Sequence, residues 1–114
     1  MNYQTLDKTK RKEIARLFTS VFISSEGEEE GTLIGNLSAE LASSIDNEEI
    51  ICFGIYENER LIASIFFTRL RFNNPIQVYM LAPVAVSSEY QRKGIGQALI
   101  NYGLNEFNRF VLIM

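Results

Sequence analysis

Val84-Ala85-Val86-Ser87-Ser88-Glu89-Tyr90-Gln91-Arg92-Lys93-Gly94-Ile95-Gly96-Gln97-Ala98-Leu99-Ile100 decides the reading of this chain. The run opens apolar and β-branched, passes through a polar stretch holding Gly94 and Gly96, and turns apolar again at helical spacing. Ile95, Ala98, Leu99 and Tyr102 fall on one stripe of a helix expected to reach about Phe107. Ile100, Leu104 and Phe107 form a second stripe beside it, so the helix is expected to be covered around most of its circumference. The predicted order is strand, glycine loop, helix.

That order has a chemical use. The start of a helix leaves several backbone N–H groups without intrahelical partners and carries partial positive charge. Phosphate binds well there. Gly94 and Gly96 keep side chains away from those amides, and Arg92 and Lys93 add charge beside them. The arrangement suits a diphosphate. A dinucleotide fingerprint fits less well, because its third small residue would fall at Leu99. A Walker-type loop fails for want of Gly-Lys-Ser/Thr. A glycine-containing helix entry flanked by two surface cations has the same spacing, and spacing alone leaves both readings open.

Upstream, the apolar pattern predicts three strands. Residues 50–56 are continuously apolar and read as a strand covered on both faces. Glu57-Asn58-Glu59-Arg60 reads as a turn, 61–72 as a longer strand, and Asn73-Asn74-Pro75 as the next turn. Residues 76–86 form the third strand, with Pro83 demanding an edge or a bulge. Cys52 lies within the first strand and reads as core.

The first half reads as helical. Asp7 or Thr9 can cap a helix running to about Phe22, with Ile14, Leu17, Phe18, Val21 and Phe22 on its apolar stripe. The cluster Lys8, Lys10, Arg11 and Lys12 sits at the end the helix dipole disfavours and reads as solvated surface. A polar break is expected over 24–31, then a second helix with Leu33, Leu37 and Leu41 along one edge. Glu28, Glu29 and Glu30 suit its N-terminus; a face for a cationic amine is the other reading. The closing run Phe110-Val111-Leu112-Ile113-Met114 reads as the opening of another strand.

Composition bounds the function. A chain of 114 residues, 46% hydrophobic and 22% charged, is expected to be a single globular domain over 1–114. A net charge of -3 makes no case for nucleic acid or an anionic membrane. No apolar run approaches the ~20 residues of a membrane span. One cysteine allows no internal disulfide and fits a reducing, cytoplasmic setting. The absence of histidine removes the commonest general base and leaves few ligands for a catalytic metal, so none is expected.

The run from Leu81 to Ile100 resembles the acetyl-coenzyme A motif of the GNAT N-acetyltransferase superfamily: a strand, then Gln/Arg-x-x-Gly-x-Gly/Ala, then a helix. Gln91, Gly94 and Gly96 match it position by position. The resemblance implies an α/β (α+β) fold with a mixed, mostly antiparallel sheet flanked by helices. It implies that the amides of Gln91, Arg92, Lys93, Gly94, Ile95 and Gly96 hold the pyrophosphate of acetyl-CoA or CoA. It implies that backbone around Leu81, Val84, Ala85 and Val86 pairs with the pantetheine arm, with Pro83 marking the bulge that opens the slot.

An amine of a small molecule or protein would then attack the thioester. Family members can use a carboxylate on the third strand as base; here that strand offers only Tyr79 and Gln77, with Tyr79 the weak catalytic candidate. Relatives continue beyond the point where this chain stops, into a helix, a hairpin and a tyrosine that protonates the thiolate. The sequence-level expectation is therefore an N-acetyltransferase domain, slow by itself on generic amines. The alternative is a shortened, non-catalytic module that binds CoA or works by association. A homodimer through the C-terminal strand and helix 94–109 is expected to cover the apolar ending.

Overall fold

A computed structural model describes residues 1–46, 49–70, 78–106 and 111–113, with backbone course alone at 69–70, 78–83, 104 and 111–113. The elements run β1 (Asn2–Leu6), a 3₁₀ turn (Lys8–Lys10), α1 (Arg11–Glu26), α2 (Glu28–Ser43), β2 (Ile50–Glu57) and β3 (Arg60–Leu70). After these come β4 (Val78–Val86), a second 3₁₀ turn (Ser88–Tyr90), α3 (Ile95–Glu106) and β5 (Val111–Ile113). The sheet order is β1-β2-β3-β4-β5. Its first four strands are mutually antiparallel and β5 lies parallel to β4. The mixed, mostly antiparallel sheet flanked by helices is the architecture the sequence implied.

The N-terminus departs from the helical reading, because β1 precedes the first helix and pairs with β2. Only Leu6 of its five residues is fully buried, so this edge strand carries no alternating apolar signal. Asp7 ends it. Its carboxylate accepts from the Thr9 N–H at 2.9 Å and from the Thr9 hydroxyl, and these bonds hold its pKa below the usual carboxylate value.

The break between the first two helices is also shorter than expected. α1 continues to Glu26, and Gly27 alone, at φ +97°, makes the turn into α2. The acidic run falls in the first turn of α2, where the helix dipole favours it. Of the leucine edge of α2, Leu33 and Leu37 are exposed and Leu41 packs against the core, whereas Gly31, Gly35, Ser38 and Ala42 are buried. A methyl on Gly35 would collide with Thr19, and one on Gly31 with the backbone of Ile23. The helices therefore touch through small residues, at a separation that leaves no room for leucine between them.

Alternation in β2 builds two cores. Cys52 and Tyr56 face α1 and α2 with Leu6, Ile14, Phe18 and Phe66. Ile51, Phe53 and Ile55 face α3 with Ile65, Phe67, Ile95 and Leu99. A strand covered on both faces is what the unbroken apolar run 50–56 demanded. Cys52 is core as expected: burial pushes its thiol up to about 12 against a partly opposing hydrogen bond from Ser64.

Two irregularities position the site. Ile55 pairs with Ala63 but Tyr56 with Leu61, which inserts Ile62 as an extra residue in β3. Ile65 pairs with Val84 but Phe67 with Leu81, so β4 carries an extra residue at Ala82-Pro83. Pro83 thus sits at the bulge that its missing N–H required. The turn at Asn73-Asn74-Pro75 and residues Phe72, Ile76, Gln77, Phe107, Phe110 and Met114 lie outside the described residues.

Candidate functional site

The site begins at the C-terminal end of β4. The Ser87 N–H donates to the Ile62 carbonyl of β3 at 2.7 Å. Strand alternation therefore turns the N–H and C=O of Val86, and of Val84 before it, toward the opposite edge. Ala85, paired with Ser64, turns its own backbone groups to β3. On the opposite edge β5 pairs only with Val78, Tyr79 and Met80. From Leu81 onward, no strand among the described residues covers that edge of β4.

Gln91 closes the lower end of this open edge. Its side-chain amide donates to the Val86 carbonyl at 2.9 Å. That leaves the N–H and C=O of Val84 and the N–H of Val86 as a short strip for an extended polar ligand.

The loop then reverses into α3. The 3₁₀ turn is closed by Tyr90 N–H donating to the Ser87 carbonyl at 2.8 Å. Gln91 is extended, Arg92 takes φ 64° and Gly94 φ 75°. Glycine bears the left-handed conformation without penalty; Arg92 holds it at roughly 1 kcal/mol. Ala98 N–H donates to the Gly94 carbonyl at 3.0 Å, which makes Gly94 the residue flanking the first turn. The N–H groups of Ile95, Gly96 and Gln97 come before the first intrahelical bond and are available to an anion. The Ile95 side chain is buried in the α3-side core, so only its amide can serve. A methyl added at Gly96 would meet only Val86 Cγ2, at 3.7 Å. The fold itself therefore does not require glycine there.

The electrostatics point the same way. Arg92 and Lys93 are exposed, with Lys93 Nζ 5.7 Å from the centre of the Tyr90 ring. Glu89, the one carboxylate of the run 87–97, is held by Arg60. Arg60 Nη2 donates to Glu89 Oε1 at 2.9 Å and to Ser87 Oγ at 3.1 Å. Two exposed cations thus flank the helix N-terminus, and the one carboxylate of the run is paired with Arg60.

A family model described as "Acetyltransferase (GNAT) family" matches residues 11–110. The chain belongs to the acetyltransferase (GNAT) family. The match spans the loop and all three helices of this GNAT chain. No match was found among the curated proteins.

Solved structures share the GNAT fold at low identity. One is described as a possible acetyltransferase from Clostridium difficile 630, with TM-score 0.77 and 20% identity over 99% of this chain and 78% of that one. Another is a ribosomal-protein-alanine N-acetyltransferase from Brucella melitensis biovar Abortus 2308, with TM-score 0.71 and 17% identity over 100% of this chain and 80% of that one. A third is an aminoglycoside 6'-N-acetyltransferase complexed with coenzyme A, with TM-score 0.67 and 23% identity over 93% of this chain and 54% of that one.

The sequence-derived candidates divide accordingly. Gln91, Arg92, Lys93, Gly94, Ile95 and Gly96 form one continuous turn against the end of β4, and Leu81 borders its bulge. Tyr79 stands apart, on the part of β4 paired on both edges, opposite Arg69 and Leu112. Arg60 was read from sequence only as part of a turn. Its link to Glu89 spans residues far apart in the chain, and no local pattern announces it. The same holds for a cavity of about 360 Å³ on the α1 side of Arg60, lined by Glu13, Arg16, Ser20, Glu59, Arg60 and Ser87.

Proposed function

We propose that this GNAT chain is an acetyl-CoA-dependent N-acetyltransferase acting on a primary amine of a small molecule or protein. The observation that carries the reading is the pairing of the turn 91–96 with the open edge of β4. One supplies unengaged amides and two cations for a diphosphate; the other supplies strand hydrogen bonds for an amide-bearing arm. Both lie on one path that ends at the bulge of β4. A family whose members use acetyl-CoA, and a like-folded enzyme complexed with coenzyme A, support the same ligand.

The chemistry asks little covalent work of the protein. The free amine nitrogen forms the C–N bond, the thioester C–S bond breaks, and the departing thiolate takes up a proton. An amine with a pKa of about 10 must first lose its proton, which at pH 7 costs roughly 4–5 kcal/mol. The strand Val78–Val86 contains no carboxylate to receive it. Transfer on generic amines is therefore expected below about 1 per second.

That missing carboxylate is also what favours the second reading, a non-catalytic module that binds CoA. Thiol release from acetyl-CoA, followed over polyamines, aminoglycosides and peptide N-termini, separates the two. Amine-dependent release that Gly96→Leu abolishes supports the enzyme. Binding of CoA with no transfer to any amine leaves the module.

A further inference from the structure

Arg60 stands outside the turn that the proposed function uses, yet its polar partners among the described residues, Ser87 and Glu89, belong to that turn's approach. It is the first residue of β3 and follows a two-residue hairpin loop, Asn58 and Glu59, both at positive φ. That tight loop fixes where Arg60 emerges. From there one guanidinium nitrogen reaches both Ser87 and Glu89, on either side of the entry to the 3₁₀ turn.

As a stabilising element the link is weak. The two side chains are 56% and 66% exposed, and such pairs contribute little to folding. Its consequence lies in the charge presented to a ligand. Over residues 87–97 the charged side chains are Glu89, Arg92 and Lys93. With Glu89 neutralised, the turn offers two cations to a diphosphate. With Glu89 free, one of them is offset and the diphosphate meets a carboxylate of its own sign.

We infer that Arg60 is a positioning residue for the CoA diphosphate, acting by masking Glu89 and not by touching the ligand. The inference rests on the proposed CoA site. It predicts that the affinity lost on removing Arg60 is regained when the charge of Glu89 is removed as well.

The test is a double-mutant cycle read by calorimetric titration of CoA into the full chain at low salt. Arg60→Ala should weaken binding about three- to tenfold, an effect that fades at high salt because both charges are exposed. Glu89→Gln alone should bind at least as tightly as the unmutated chain, since the masked carboxylate is lost and Arg60 remains as a cation. Arg60→Ala with Glu89→Gln should restore affinity to within about twofold of the unmutated chain. Melting of each variant without ligand confirms that folding is kept, and Arg60→Lys, which preserves the charge, should bind more tightly than Arg60→Ala.

The inference is overturned if Arg60→Ala binds CoA normally, or if the double variant stays as weak as Arg60→Ala. It is overturned equally if Glu89→Gln alone weakens binding as much, since the physical link would then matter and not the charge. If the unmutated chain binds no CoA, the CoA site falls and this inference with it. If the unmutated chain binds and the cycle is flat, the inference alone falls.

Discussion

Replacing Gly96 by alanine should make the protein more stable and a poorer binder of CoA. The added methyl meets only Val86 Cγ2 at 3.7 Å, an ordinary contact, and φ at Gly96 is not in the left-handed region. Alanine in place of a helical glycine stabilises by roughly 0.5–1 kcal/mol. A chain of 114 residues shifts its Tm by about 4 °C per kcal/mol. The ligand-free variant should therefore melt about 2–4 °C higher. On the proposed function, the same methyl would take up space that the diphosphate needs beside the amides of the turn. A misfit of about 1.4–2.8 kcal/mol lowers affinity roughly ten- to hundredfold.

Thermal melting with CoA reads both effects. At a concentration of about 100 Kd the ligand stabilises the unmutated chain by about 2.7 kcal/mol, or about 11 °C. For the variant at the same concentration the rise should shrink to about 2–6 °C. Two results would refute the reasoning: a ligand-free variant that melts lower, or a variant whose CoA-induced rise equals that of the unmutated chain.

Gly103→Ala, on the same helix, should have the opposite sign, because its methyl would sit 2.5 Å from the Phe67 ring; a loss of about 1–3 kcal/mol in urea denaturation is expected. Glu59→Gly should raise stability by up to about 1 kcal/mol in the same assay, since it relieves a non-glycine residue held at φ 64°. Stability should fall as pH rises above 9, because the folded thiol of Cys52, pushed up to about 12 from 9.0, stays protonated where the unfolded one ionises. That contribution is fully present well below pH 9 and about 1.4 kcal/mol of it is lost by pH 10, so Cys52→Ala should flatten this part of a stability–pH profile. The Tyr56 hydroxyl, also raised by burial and by its bond to Glu13, adds its own loss at higher pH.

The sheet and the loop were legible because each rests on a local signal. Residues 50–56 are apolar without interruption, which only a strand covered on both faces sustains, and β2 is that strand. Pro83 lacks an N–H, and the register shifts at that point. Gln91, Gly94 and Gly96 are close enough in sequence to be read as one turn.

What escaped was set by tertiary contacts. β1 is an edge strand with one buried side chain, so its residues carry no periodic pattern. Leu33 and Leu37 of α2 stay outside because helix packing runs through Gly31 and Gly35, whereas Ile34 and Leu41 pack against the core. Arg60 could not be linked to Glu89 from sequence, since the hairpin loop and the β4 bulge both had to be in place first.

On the proposed function, the turn 91–96 holds the diphosphate of CoA. Calorimetric titration of the unmutated chain with CoA, and separately with pantetheine, which lacks the diphosphate, tests it most directly. The expected CoA dissociation constant lies within about 1 μM–1 mM, at least roughly tenfold tighter than that of pantetheine and weakening as salt is raised. No heat with CoA at millimolar concentration, or pantetheine binding as tightly as CoA, would contradict it.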